Sequence, residues 1–138
     1  MVVGTDLEMQ TGYTPENELL SKLNPQQVEA VTTGWGPALV IAGAGSGKTT
    51  VLTRRIAYLI TEMRQEPETV LAVTFTNKAA QQMKTRIEQI VGWQTARKTM
   101  IGTFHSICAR LLRFDIEDYT TPEGHKLKSN FVIYDETD

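Results

Sequence analysis

The residues Ala42-Gly43-Ala44-Gly45-Ser46-Gly47-Lys48-Thr49 combine the parts that binding a triphosphate requires. Glycines at 43, 45 and 47 allow the backbone to curl until successive N–H groups converge on phosphate oxygens. A helix opening near Lys48 would aim the positive end of its dipole at the same point. Lys48 would bridge the terminal phosphates, and the Thr49 hydroxyl would ligate a Mg²⁺ ion carried by them, which makes these two residues the catalytic candidates and Thr49 the metal ligand. The strict pattern starts with Gly, whereas this chain keeps a small residue, Ala42, in that place. Kinases, GTPases, transporters and motors all use such loops, so the loop alone names no reaction.

Positioning these groups takes a strand before the loop and a helix after it. Ala38-Leu39-Val40-Ile41-Ala42 reads as a strand buried on both faces, entered through the turn Trp35-Gly36-Pro37. Val51, Leu52, Ile56, Leu59, Ile60 and Met63 then recur at three- and four-residue steps, with Arg54, Arg55 and Glu62 on the opposite face. Thr69 to Phe75 is β-branched and apolar, and leads into a helix carrying Ala79, Met83, Ile87, Ile90 and Val91 that should stop at Gly92. A third unit begins at Thr99 to Phe104 and continues through Ile107, Cys108, Leu111 and Leu112. Phe131 to Tyr134 predicts a last short strand. Strands alternating with helices imply an α/β fold with a parallel sheet and right-handed crossovers. Upstream, Asn24-Pro25 has the signature of a helix start, while residues 1–22 are polar and aperiodic and predict a flexible tail.

A chain of 138 residues with 41% apolar content sets a ceiling of one small domain. The amino terminus lacks a basic segment followed by an apolar one, and no apolar run approaches the roughly 18 to 20 residues of a membrane span. A single cysteine, Cys108, offers neither an internal disulfide nor a zinc-finger spacing, so a reducing cytoplasm is the simplest compartment. The net charge of −2 hides an uneven distribution. Residues 43–113 hold eleven Lys or Arg against four Glu, net +7, between acidic ends of net −4 (residues 1–30) and −5 (residues 114–138).

Four segments occur in a fixed order: Leu23-Asn24-Pro25-Gln26-Gln27, the phosphate loop, Thr74-Phe75-Thr76-Asn77-Lys78-Ala79-Ala80 and Gly102-Thr103-Phe104-His105-Ser106. Together they closely resemble the amino-terminal motor region of superfamily 1 DNA helicases of the UvrD/PcrA/Rep type. The likeness runs from Leu23 to Asp138, which makes residues 23–138 the amino-terminal portion of a UvrD-like ATP-binding domain. It implies a P-loop NTPase fold of the RecA-like kind, an incomplete domain here. It also implies ATP, with Gln27 matching the glutamine that reads the adenine edge; an amide can both donate and accept, as adenine requires. The phosphate loop from Ala42 to Thr49 would hold the rest of the nucleotide. Single-stranded DNA is the implied partner. Phe75 would offer it a stacking face, Thr76, Asn77 and Lys78 would hold its phosphates, and His105 and Ser106 match a second contact motif. Thr50 stands where close relatives of this type often carry Arg.

The resemblance further implies a motor moving 3′ to 5′ and the remaining helicase domains as partners. Phe131-Val132-Ile133-Tyr134-Asp135-Glu136 looks like a strand ending in a Mg²⁺-holding acidic pair. In the resembling family, however, a similar segment leads into an inserted helical subdomain, and the true acidic motif and the catalytic arginines lie farther along. Efficient hydrolysis and unwinding are therefore not expected of these 138 residues alone. Two other classes fit the residues: a small stand-alone NTPase or kinase using Asp135 and Glu136, and a non-catalytic nucleotide- or DNA-binding module.

Overall fold

The computed structural model describes residues 16–133, and side-chain burial from Glu18 to Ile133. Helices α1 (Glu16–Leu19) and α2 (Pro25–Thr32) come first, then α3 (Lys48–Thr61), strand β1 (Leu71–Thr74), α4 (Asn77–Val91), α5 (Trp93–Ala96), strand β2 (Met100–Thr103) and α6 (Phe104–Asp115). Single 3₁₀ turns sit at Pro67–Thr69 and Ile116–Asp118. The arrangement is α/β: β1 and β2 pair in parallel with Leu71 opposite Met100 and Thr74 opposite Thr103, and helices flank them as in part of a RecA-like domain.

Local chemistry sets the element boundaries. Asn24 caps α2 in a reciprocal box, its side chain accepting from the Gln27 N–H at 2.9 Å while the Asn24 N–H donates to Gln27 Oε1 at 3.0 Å, and Pro25 fills the first turn. Thr76 and Thr103 cap α4 and α6 by the simpler one-way bond, their hydroxyls accepting from the N–H groups of Ala79 and Ser106. Gly92, at φ 81°, ends α4 as the sequence predicts.

The core forms where α3 and α4 cover one face of the sheet. Ile56 and Ala57 of α3 meet Met83, Ile87 and Val91 of α4 over Val70 and Ala72, with Ala96 closing one end. Burying these side chains contributes roughly 25 cal/mol for each Å² removed from water. Leu71 and Val73, which alternate with Ala72, stay exposed on the other face. The two predicted strand–helix units around β1 and β2 are thus present, and Cys108 is half-buried in α6.

Three expectations need correction. Residues 38–42 are not a buried strand: Leu39 and Ile41 are 86% and 89% exposed, and no ladder pairs with them among the described residues. A parallel strand is held by neighbours, and its own composition cannot supply them. For the same reason residues 131–133 form no strand, with Val132 and Ile133 exposed. The expected tail ends earlier than residue 22, because α1 is helical and Leu19, only 2% exposed, is part of the core. Residues 1–15 and Tyr134, Asp135 and Glu136 lie outside the described residues.

Candidate nucleotide and nucleic-acid site

The phosphate loop closes around its own lysine. Gly45 and Gly47 adopt φ of 74° and 83°, values that L side chains rarely tolerate, and the turn they create brings the Ser46 hydroxyl to within 2.7 Å of the Gly43 carbonyl oxygen. Lys48 Nζ donates to the carbonyl oxygens of Gly43 at 2.5 Å and Ala42 at 3.1 Å. An ammonium held by two carbonyl oxygens is poised to exchange them for the more negative oxygens of a phosphate. Helix α3 starts immediately after Gly47, its first bond running from Val51 N–H to the Gly47 carbonyl at 3.0 Å, so the free N–H groups of its first turn face the same loop. Open space lies beside Gly43 and Gly45, and the Thr49 side chain is exposed at the helix start. The residues present therefore fit a Mg²⁺–triphosphate.

Gln27 joins the loop from 19 residues away. Its Nε2 donates to the Ser46 carbonyl at 3.0 Å, and a Cβ placed on Gly47 would lie 2.9 Å from that same nitrogen. One amide therefore completes the α2 cap through its oxygen and braces the loop through its nitrogen. A cavity of about 700 Å³, within the range of small-molecule sites, opens beside it and is lined by Asn24, Gln27, Val40, Ser46, Lys48 and Arg55.

The two segments suggested as DNA contacts leave the sheet side by side. Because Thr74 pairs with Thr103, Phe75 and Phe104 occupy adjacent register positions just past the carboxyl ends of β1 and β2, where ligands of parallel sheets gather. Phe75 is fully exposed, Phe104 is 65% exposed, and the His105 ring meets Phe104 edge-on at 6.2 Å. Asn77 and Lys78 are exposed in the first turn of α4. Thr76 and Ser106 have structural work of their own. The Thr76 hydroxyl caps α4, and the Ser106 hydroxyl donates to the Thr103 carbonyl at 2.9 Å.

A second cavity, of about 280 Å³, joins the two regions, lined by Lys48 and Thr49 from the phosphate loop and by Thr74, Phe75, Thr76 and Gln82 from beyond β1. Sequence reasoning passed over Phe104, although the Thr-Phe step after β1 recurs after β2 and could have flagged it. Arg55 was read as a surface residue, and nothing local in sequence marks the contacts it makes. Among the described residues no cluster of three or more His, Cys, Asp or Glu could hold a metal ion, and no helix is long and apolar enough to cross a membrane.

The profile of the UvrD/REP helicase N-terminal domain family matches residues 23–138. Among curated proteins, the ATP-dependent DNA helicase PcrA of Bacillus subtilis (strain 168) is 53% identical over 122 residues, covering 88% of this chain. The protein of the same name from Staphylococcus aureus (strain Mu50 / ATCC 700699) is 51% identical over the same length, and that of Staphylococcus epidermidis (strain ATCC 12228 / FDA PCI 1200) 49%. The chain spans only 16% of the length of each of these relatives.

Proposed function

The chain belongs to the UvrD/REP helicase N-terminal domain family, and from that premise we propose that it is the ATP-binding portion of an ATP-dependent 3′-to-5′ DNA translocase and helicase, working on single-stranded DNA in the cytoplasm with the parent's remaining domains. The observation that carries this reading is the cavity shared by Lys48 and Thr49 with Phe75 and Thr76, which brings a triphosphate cradle to the edge of an aromatic, basic strand track. In it the loop from Ala42 to Thr49 binds the phosphates of ATP, Thr49 reaches its Mg²⁺, and Gln27 reads the base. Phe75 stacks on DNA, Thr76, Asn77 and Lys78 hold its backbone from the start of α4, and His105 and Ser106 add a second contact from the start of α6.

Residues 23–138 act as the unit that binds. Phosphoryl transfer also needs an acidic group for the metal and water, and arginines at the γ-phosphate; losing one such arginine alone costs about 10³ to 10⁵ in rate. The 138-residue chain is therefore expected to bind Mg²⁺–ATP with little turnover. Binding and ATPase rate, with and without single-stranded DNA, test this. Lys48→Ala should weaken ATP binding by about tenfold or more, the worth of one or two charge-assisted hydrogen bonds. Vigorous DNA-stimulated turnover by these residues alone, abolished by Lys48→Ala, would overturn the inactivity of the fragment.

A further inference from the structure

Adjacent arginines on α3 each grip the carboxyl end of one upstream helix. Arg54 Nη1 donates to the carbonyl oxygens of Leu19 and, at 2.7 Å, Ser21, just past α1. Arg55 Nη1 donates to the Val31 carbonyl at 2.8 Å and its Nη2 to the Gly34 carbonyl at 3.3 Å, at the end of α2. A guanidinium there satisfies orphan carbonyls of the last turn and opposes the negative end of the helix dipole. Its planar fork holds two nitrogens in fixed directions, a geometry that the single nitrogen of an ammonium does not offer.

Helix α2 is consequently pinned at both ends to the unit that carries the phosphate loop. At its start Gln27 Nε2 holds the Ser46 carbonyl, and at its end Arg55, seven residues beyond Lys48 and about 10 Å along the α3 axis, holds Val31 and Gly34. Val31, fully buried, lies at the gripped end. Arg55 also lines the larger cavity together with Gln27 and Lys48. Remove the Arg55 fork and, among the described residues, the hydrogen bond of the Gln27 amide and the packing of Val31 are left to hold α2, and its gripped end is free to shift.

The geometry points to Arg55 as the positioning residue for base selection: without touching the nucleotide, it fixes the pose of α2 so that the Gln27 amide stands at a set distance and angle from the phosphate loop. This rests on the reading of Gln27 as the adenine contact. Bidentate recognition of adenine by an amide is directional, so a small rotation of α2 costs base recognition and leaves the phosphate cradle intact.

The test compares binding of Mg²⁺ complexes of ATP, GTP and inorganic tripolyphosphate to the 138-residue chain and to Arg55→Gln and Arg55→Lys, by calorimetry, with hydrogen exchange of the α2 amides followed in parallel. Arg55→Gln should lose about tenfold in ATP affinity, the equivalent of one hydrogen bond, and bring the ATP-to-GTP ratio close to one, with tripolyphosphate affinity unchanged and α2 amides exchanging faster. Arg55→Lys, which keeps the charge and reaches one carbonyl, should recover part of the selectivity and remains informative if the glutamine variant does not fold. Equal losses for ATP and tripolyphosphate, or full ATP preference in either variant, would overturn the proposal alone. A wild-type chain that binds ATP and GTP alike would overturn the Gln27 reading first, and this proposal with it.

Discussion

At the scale of single residues, the loop from Ala42 to Thr49 was legible because its chemistry is local: glycine spacing, lysine and threonine lie within eight positions. The contacts of Gln27 with Ser46 and of Arg55 with Val31 were not, since they join residues 19 and 24 positions apart and depend on how α2 and α3 pack. Phe75 and Phe104 show the same limit. Each Thr-Phe step is visible in sequence, but only the Thr74–Thr103 register puts the two positions at adjacent strand ends. Each exposed ring is expected to stack one base, so Phe75→Ala and Phe104→Ala should each weaken binding of oligothymidylate by about 1 to 3 kcal/mol without changing its salt dependence. Lys78→Ala should instead lower the salt slope by roughly one. Fluorescence anisotropy at two salt concentrations separates these outcomes, and an unchanged affinity for either Phe variant would remove that ring from the strand track.

Among whole elements, β1, α4, β2 and α6 follow from apolar periodicity and capping residues, and the structure returns them nearly as read. Residues 38–42 fail for the opposite reason, since strand pairing is a property of two segments and composition describes one. Helix α1 was hidden by its polar surroundings, although Leu19 anchors it in the core and Arg54 grips its end. Leu19→Ala should destabilise the chain by about 2 to 5 kcal/mol in urea unfolding, as for other large-to-small core changes. Beyond α6, the Ser129 hydroxyl, at 2.5 Å, and then the Ser129 N–H hold the Glu117 carboxyl below its ordinary range. A lowered carboxylate contributes stability above the pH where the unfolded group titrates, and loses it as pH falls through the lowered folded value. Carboxyl titration by NMR should show Glu117 moving up toward ordinary values in Ser129→Ala, with the backbone N–H bond retained, and the Ser129 amide of the wild type should lose protection at acid pH.

Over the whole molecule, the basic middle is not one uniform patch. Arg54 and Arg55 serve helix ends, Arg97 lies 4.6 Å over the Trp93 ring, and Lys98 pairs with Glu68 at 3.1 Å. Lys78, Arg86, Arg110 and Arg113 are exposed, and Arg113 sits 4.9 Å over the Phe131 ring. Net charge could not separate these roles, because it carries no positions. Leu39, Ile41, Val132 and Ile133 are exposed apolar side chains. The 138 residues on their own should therefore bind a hydrophobic dye and associate as concentration rises, and Leu39→Ser with Ile41→Ser should reduce both by light scattering and dye fluorescence. The position of Lys48, lining both cavities, has a consequence of another kind. A ligand that draws its ammonium away from the Gly43 carbonyl alters the wall that the other ligand meets. On the proposed function, nucleotide and strand would then be linked thermodynamically, and whatever factor ATP imposed on DNA affinity, DNA would impose on ATP affinity in return.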